Sequence, residues 1–132
     1  MFTCRFLVRL VSGAAIFLIL GGGLLPATAL GDHVSYKNDV FPIIELRCLA
    51  CHRPGGDGFE KSGLDMRTYE SLLKGTKHGS MIVPNSAFTS NLIGVIDHRV
   101  DSKLYMPHNK KKITKCERLI FRFWINQGAK NN

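Results

Sequence analysis

Acidic residues are scarce in this chain. Ten Asp and Glu face eighteen Lys and Arg among 132 residues, a formal charge of +8. There is no convincing strand alternation, no internal repeat and no low-complexity tract, which sets aside sheet proteins, solenoids and sticky tails. With 45% apolar residues the chain is globular and not disordered. Its length limits it to one domain and leaves little room for a multi-domain enzyme or a polytopic membrane protein. Long hydrophobic runs are missing too: the apolar run Leu10 to Leu25, which carries no charge, is sixteen residues and contains Gly13, Gly21, Gly22 and Gly23. A membrane-spanning helix needs about twenty predominantly apolar residues.

That stretch has another reading. Arg5 and Arg9 precede it, and Ala27-Thr28-Ala29 follows with the small–x–small pattern of a signal-peptidase site. Residues 1–31 are therefore expected to be a signal peptide cleaved near Ala29 to Gly31, with residues 32–132 forming the exported domain. Left uncleaved, the segment would be an N-terminal anchor and the protein's contact with the membrane. In either case the domain reaches the periplasm or an equivalent non-cytoplasmic compartment. Cys4 would leave with the signal, and the three cysteines that remain cannot make a closed disulfide framework.

Two of those cysteines lie in Cys48-Leu49-Ala50-Cys51-His52. C-x-x-C-H is the attachment sequence for haem c: each thiol adds across a haem vinyl group, and the histidine binds iron. On a helix, positions i, i+3 and i+4 share one face, so all three side chains can meet one porphyrin. The preceding residues predict such a helix from about Val40 to Cys51, with Asp39 as its cap, Pro42 in its first turn and Val40, Ile43 and Ile44 on its apolar side. Two other chemistries fit worse. A redox-active Cys48–Cys51 disulfide lacks a βαβ setting, and a zinc site lacks a second C-x-x-C or an H-x(3–5)-H pair among His33, His78, His98 and His108. The motif thus implies one covalent haem c, held by Cys48 and Cys51 and ligated by His52.

A second helix is written near the C-terminus. Thr114 and Glu117 form a capping box, Ile120, Phe123, Trp124 and Gln127 follow the helical period, and Gly128 supplies the stop. Between the two helices the sequence predicts a glycine-rich loop from Pro54 to Gly63 and short helices at Thr68 to Lys74 and Ser86 to Asp97. The domain reads as all-α, with helices and long loops wrapped around one covalent haem.

The sixth iron ligand is open between several residues. Met106 would supply a neutral thioether, which favours Fe(II) and fills the site against small molecules. Cys116, on one helical face with Ile120 and Trp124, would supply a thiolate that lowers the potential and favours gas binding. Against that, Cys116 also reads as a small hydrophobe with an inert thiol. His108 would give bis-His ligation.

Taken together, Asp39-Val40, Pro42-Ile43, the C-x-x-C-H motif, Gly63-Leu64-Asp65, Val83-Pro84, Ser90-x-Leu92, Met106-Pro107 and Trp124-Ile125-x-x-Gly128-Ala129 resemble the planctomycete-type cytochrome c domain over about Tyr36 to Ala129. The resemblance implies a small class I cytochrome c fold with Cys48 and Cys51 bonded to haem, His52 as proximal ligand and Met106 as distal ligand. Asn85 and Cys116 depart from the family pattern, which usually has glycine and a polar non-cysteine residue there.

Two functions follow as expectations. The first is a non-enzymatic electron carrier ligated by His52 and Met106. The other is a low-potential His52/Cys116 haem protein binding NO or CO, or a haem-bearing subunit of a larger redox complex, in which a homo- or hetero-dimer is possible. No arrangement of His, Arg or carboxylate marks a catalytic distal site. Lys110, Lys111, Lys112 and Lys115, with Arg118 and Arg122, would steer an acidic redox partner. Nucleic acid is not expected as a partner, because aromatic residues are not interleaved with the basic run.

Overall fold

A computed structural model describes residues 33–132, so the expected signal peptide, residues 1–31, lies outside the described residues. The described chain is all-α: five α-helices, one π-helical turn and one 3-10 turn, with no strand beyond an isolated bridge between Thr76 and Gly79. None of these helices is long and apolar enough to cross a membrane.

The first helical segment begins earlier and ends sooner than the sequence suggests. A π-helical turn, Tyr36–Val40, leads into α1, Phe41–Arg47, with Pro42 in its first turn. Ser35, and not Asp39, caps it: Ser35 Oγ accepts from the Asn38 N–H at 3.1 Å, while the Asp39 carboxylate reaches back to the Ser35 N–H at 2.8 Å. A hydroxyl one turn upstream supplies the acceptor that the first turn needs, and Asp39 completes the exchange from inside.

The stretch from Pro54 to Gly63 also differs, because it contains α2, Asp57–Ser62. Its glycines lower helix propensity, yet Asp57 and Glu60 sit in the first turn, where the helix dipole favours negative charge. Gly63, with φ +73°, ends it. The expected helix over Thr68 to Lys74 is present as α3, Tyr69–Lys74, with a Thr68/Ser71 capping box. The one expected over Ser86 to Asp97 shrinks to α4, Asn91–Ile96. Local hydroxyl bonds compete for its first half: Ser90 Oγ accepts from the Val83 N–H at 2.9 Å and donates to the Ser86 carbonyl at 2.8 Å.

A 3-10 turn, Ser102–Leu104, precedes the long α5, Lys115–Asn126, where the predicted capping box is present. Thr114 Oγ1 accepts from the Glu117 N–H, and the Glu117 carboxylate accepts from the Thr114 N–H. Gly128, at φ +98°, lets the chain turn off the helix.

One hydrophobic cluster holds these pieces together. Val40, Ile44, Leu72, Ile93, Phe121, Trp124 and Ile125 have essentially no solvent exposure. Helix α5 packs on both the π-helical turn and α4. Trp124 lies 5.5 Å from Tyr36, and Tyr36 meets Tyr69 edge-on at 5.2 Å. The Trp124 indole N–H is not wasted by burial, since it donates to the Lys130 carbonyl at 2.9 Å. The two ends of the domain are stitched together. Lys37 N–H donates to the Asn132 carbonyl, Tyr36 N–H to the Asn132 side chain, and Val34 N–H to Gln127.

Candidate functional site

The regular ladder of α1 stops at Arg47, and Cys48, at φ −118°, is its C-cap. The C-x-x-C-H residues therefore follow the helix and do not belong to it, which corrects the expected helix over Val40 to Cys51. The helical disposition survives in hydrogen-bonded turns. Cys48 N–H donates to the Ile44 carbonyl at 2.8 Å, and the Cys48 carbonyl accepts from both Cys51 N–H, at 3.1 Å, and His52 N–H, at 3.0 Å. The i, i+3, i+4 grouping of Cys48, Cys51 and His52 is thus retained by one carbonyl serving two donors.

Helix α2 closes over this turn. Phe59 N–H donates to the Cys51 carbonyl at 3.0 Å, and Met66 N–H to the His52 carbonyl at 2.9 Å. Two glycines make the approach possible. A Cβ at Gly56 would stand 2.5 Å from the Cys51 carbonyl oxygen, and one at Gly58 would stand 2.8 Å from His52 Cε1 and 3.0 Å from Nδ1. The C-x-x-C-H motif did not announce these two positions. Their signal was the G-x-G spacing directly after it, which reads as loop until the tertiary contact is known.

His52 is 9% exposed, and its Nδ1 is buried without a hydrogen-bond partner. Burial lowers its proton affinity below the ordinary histidine value, a backbone group of Leu64 opposing weakly, so the imidazole is held in the neutral form that metal ligation requires. Cε1 and Nδ1 of the ring face Gly58. Cys48 and Cys51 are free thiols. Burial, aided by the Glu117 carboxylate and opposed by Arg47, pushes the Cys48 thiol up to about 12. Among the described residues no three His, Cys, Asp or Glu side chains gather as a chelating cage. Two thiols beside a buried neutral imidazole fit a broad, flat group bonded at its rim and ligated at its centre, which is haem c.

Met106 is held separately. It is half-buried against the hydrophobic cluster that Cys48 also borders. Its N–H donates to the Val95 carbonyl at 3.1 Å, and its carbonyl accepts from His98 Nε2 at 3.2 Å. His98 in turn stacks on Tyr105, with ring centres 4.1 Å apart and planes 7° from parallel. Neither His98 nor Tyr105 stands out in the sequence as part of the site. Cys116 is half-buried in the first turn of α5, and His108 is exposed.

The basic cluster divides into two kinds. Lys110, Lys111 and Lys115 are exposed. Arg118 and Arg122, together with Arg99, pair with the largely buried carboxylate of Asp97, and Lys112 Nζ donates to the Asp97 carbonyl at 2.7 Å. Half of the expected docking cations are therefore engaged in joining the end of α4 to α5. A further ion pair, Arg47 to Glu117 at 2.8 Å, ties the end of α1 to the start of α5.

Residues 48–109 match the family described as Planctomycete cytochrome C. This stretch is a planctomycete-type cytochrome c domain. The match runs from the first thiol of the motif past Met106, whereas α1 and α5 lie beyond its two ends. No curated protein and no solved structure matches the chain. The protein is accordingly a haem-binding redox protein of the cytochrome c type, with a small all-α fold.

Proposed function

We propose that this cytochrome is an exported electron carrier with a single haem c, its iron ligated by His52 and Met106. The observation that carries the reading is the turn in which Cys48, Cys51 and a buried, neutral His52 are grouped beneath α2. A haem held by Cys48, Cys51 and His52 would supply one-electron chemistry. The protein's part is to hold that iron still and dry. His52 is fixed by the glycine contact and the Cys48 carbonyl, and Met106 by α4. A neutral thioether there would raise the potential and close the sixth position to small molecules. Export, inferred from residues 1–31, would bring the thiols to a compartment where haem c is attached.

Denaturing electrophoresis with haem-peroxidase staining tests the attachment. The wild-type band should stain, and replacing Cys48 and Cys51 together by Ser should abolish the stain. Extraction of wild-type haem into acidified organic solvent would overturn thioether attachment. The axial pair is tested by two variants. Met106→Ala should lower the potential and let CO bind the reduced protein, while Cys116→Ser should leave the visible spectrum nearly unchanged. The opposite pattern would replace the carrier by a thiolate-ligated, gas-binding haem.

The partner would be an acidic redox protein. Lys110, Lys111 and Lys115 are the exposed cations of the cluster and the ones available to steer it. Electron transfer should slow as salt rises, because screening at about 0.15 M cuts interactions beyond about 8 Å. Charge reversal at these three lysines should lower the bimolecular rate without moving the potential; a salt-independent rate would place docking elsewhere.

A further inference from the structure

We propose that His98 is the positioning residue for the sixth iron ligand, clamping the backbone of Met106 through its imidazole; this rests on Met106 being that ligand. Both backbone polar groups of Met106 are tied to the C-terminal end of α4 and the residues just past it: the N–H to Val95 in the last turn, and the carbonyl to Nε2 of His98, which follows the C-cap. A carbonyl only accepts, so Nε2 must carry the proton in this contact. The same ring lies flat on Tyr105, the residue before the ligand. One side chain therefore fixes the loop twice, by its face and by its edge.

The backbone at His98 is unusual in a way that serves this geometry. Its φ is +57°, the left-handed region that a residue with a Cβ seldom enters. That conformation directly follows the C-cap of α4, Asp97, whose carboxylate is held by Arg99, Arg118 and Arg122. The Asp97 anchor and the left-handed step together return the ring from the helix end onto the Tyr105–Met106 segment. Phenylalanine would stack without donating. Asparagine would tolerate the left-handed backbone but has no ring to stack.

A thioether is a weak ligand to ferric iron, so the backbone that presents it decides how often it lets go. Losing a hydrogen bond worth ~1 kcal/mol should raise the open fraction about fivefold.

The experiment uses ferric holoprotein and exogenous imidazole as the probe, with rate of uptake and reduction potential as readouts. His98→Phe and His98→Asn should each take up imidazole about fivefold faster than wild type, about what ~1 kcal/mol predicts, and both should have lowered potentials. Thermal melts of the same samples report folding separately. A lowered melt with wild-type uptake and potential in both variants means a merely structural role and overturns the proposal. Met106→Ala is the control for the underlying reading. If it leaves the spectrum and uptake as in wild type, methionine ligation itself is wrong. If it opens the site while both His98 variants behave as wild type, only the clamp is wrong.

Discussion

The two segments that the proposed His52/Met106 ligation would bring to one haem are held by different means. The Cys48–His52 turn is fixed by backbone: carbonyls of Ile44, Cys48, Cys51 and His52 are all occupied, and two glycines bring α2 against it. The Met106 loop is fixed by one backbone bond and by a side chain, His98, that is itself propped by an ion-pair cluster. A covalent attachment tolerates no misplacement of its thiols, and local backbone bonds place them with few degrees of freedom. A ligand that must be strong enough to stay and weak enough to tune can be entrusted to side chains, whose contacts are adjustable one residue at a time.

The largest effect is expected on the backbone-held side. Gly56→Ala would drive a Cβ to within 2.5 Å of the Cys51 carbonyl, and relief of that overlap should cost up to about 3 kcal/mol. Thermal denaturation of apoprotein and haem-stain intensity should both fall, with no change specific to the sixth ligand. An unchanged melt would show that α2 can lift away from the turn, and the contrast would weaken.

Asp97→Asn should act on the other side. Three guanidinium groups would lose a common carboxylate that is 10% exposed, at an expected cost of ~1–2 kcal/mol, discounted because the arginines are partly solvated. Haem attachment should persist while imidazole uptake quickens through the loosened His98. Equal damage to attachment would mean that the two sides are not separately supported.

The smallest effect at neutral pH is expected from Tyr36→Phe, in the aromatic group beneath α1. The Tyr36 hydroxyl is buried without a partner, and burial, with Glu70 and Tyr69 adding to it, pushes its pKa up to about 12 from 10.0. The folded state therefore keeps a proton that the unfolded chain releases above pH 10. Stability from this group is complete below pH 10 and is lost as pH rises towards 12. Wild type should lose at least about 1 kcal/mol more than Tyr36→Phe across that window, as read from denaturant melts. Parallel curves for the two proteins would show that the hydroxyl finds water.

Much of the backbone-held side was legible in the sequence, because its information is local. The Thr114–Glu117 capping box, four residues long, appears as read, and the i, i+3, i+4 grouping of the C-x-x-C-H residues persists, though in turns beyond α1 and not on the helix. The end of α1 was misplaced because hydrogen-bonded turns carry a helix-like spacing past Arg47 without regular dihedrals. Helix α2 was hidden since its glycines argue against a helix until their contact with Cys51 and His52 is known. Ser86 to Ser90 looked helical by pattern, but hydroxyl-to-backbone bonds captured it. The clamp on Met106 was not legible at all. Its contacts join α4 to a loop eight residues on, through a left-handed backbone step that propensity does not foretell.

The stitching of Asn132 to Ser35, Tyr36 and Lys37 also says something about time. These bonds, with those from Val34, span 93 to 98 residues of chain. Closing so long a loop is entropically expensive, and contacts of such high sequence separation form late in folding. The haem-binding turn is made before the helix and the Asn132 segment that pin its supporting residues. Until the Asn132 segment is in place, the two thiols sit on an unfinished scaffold.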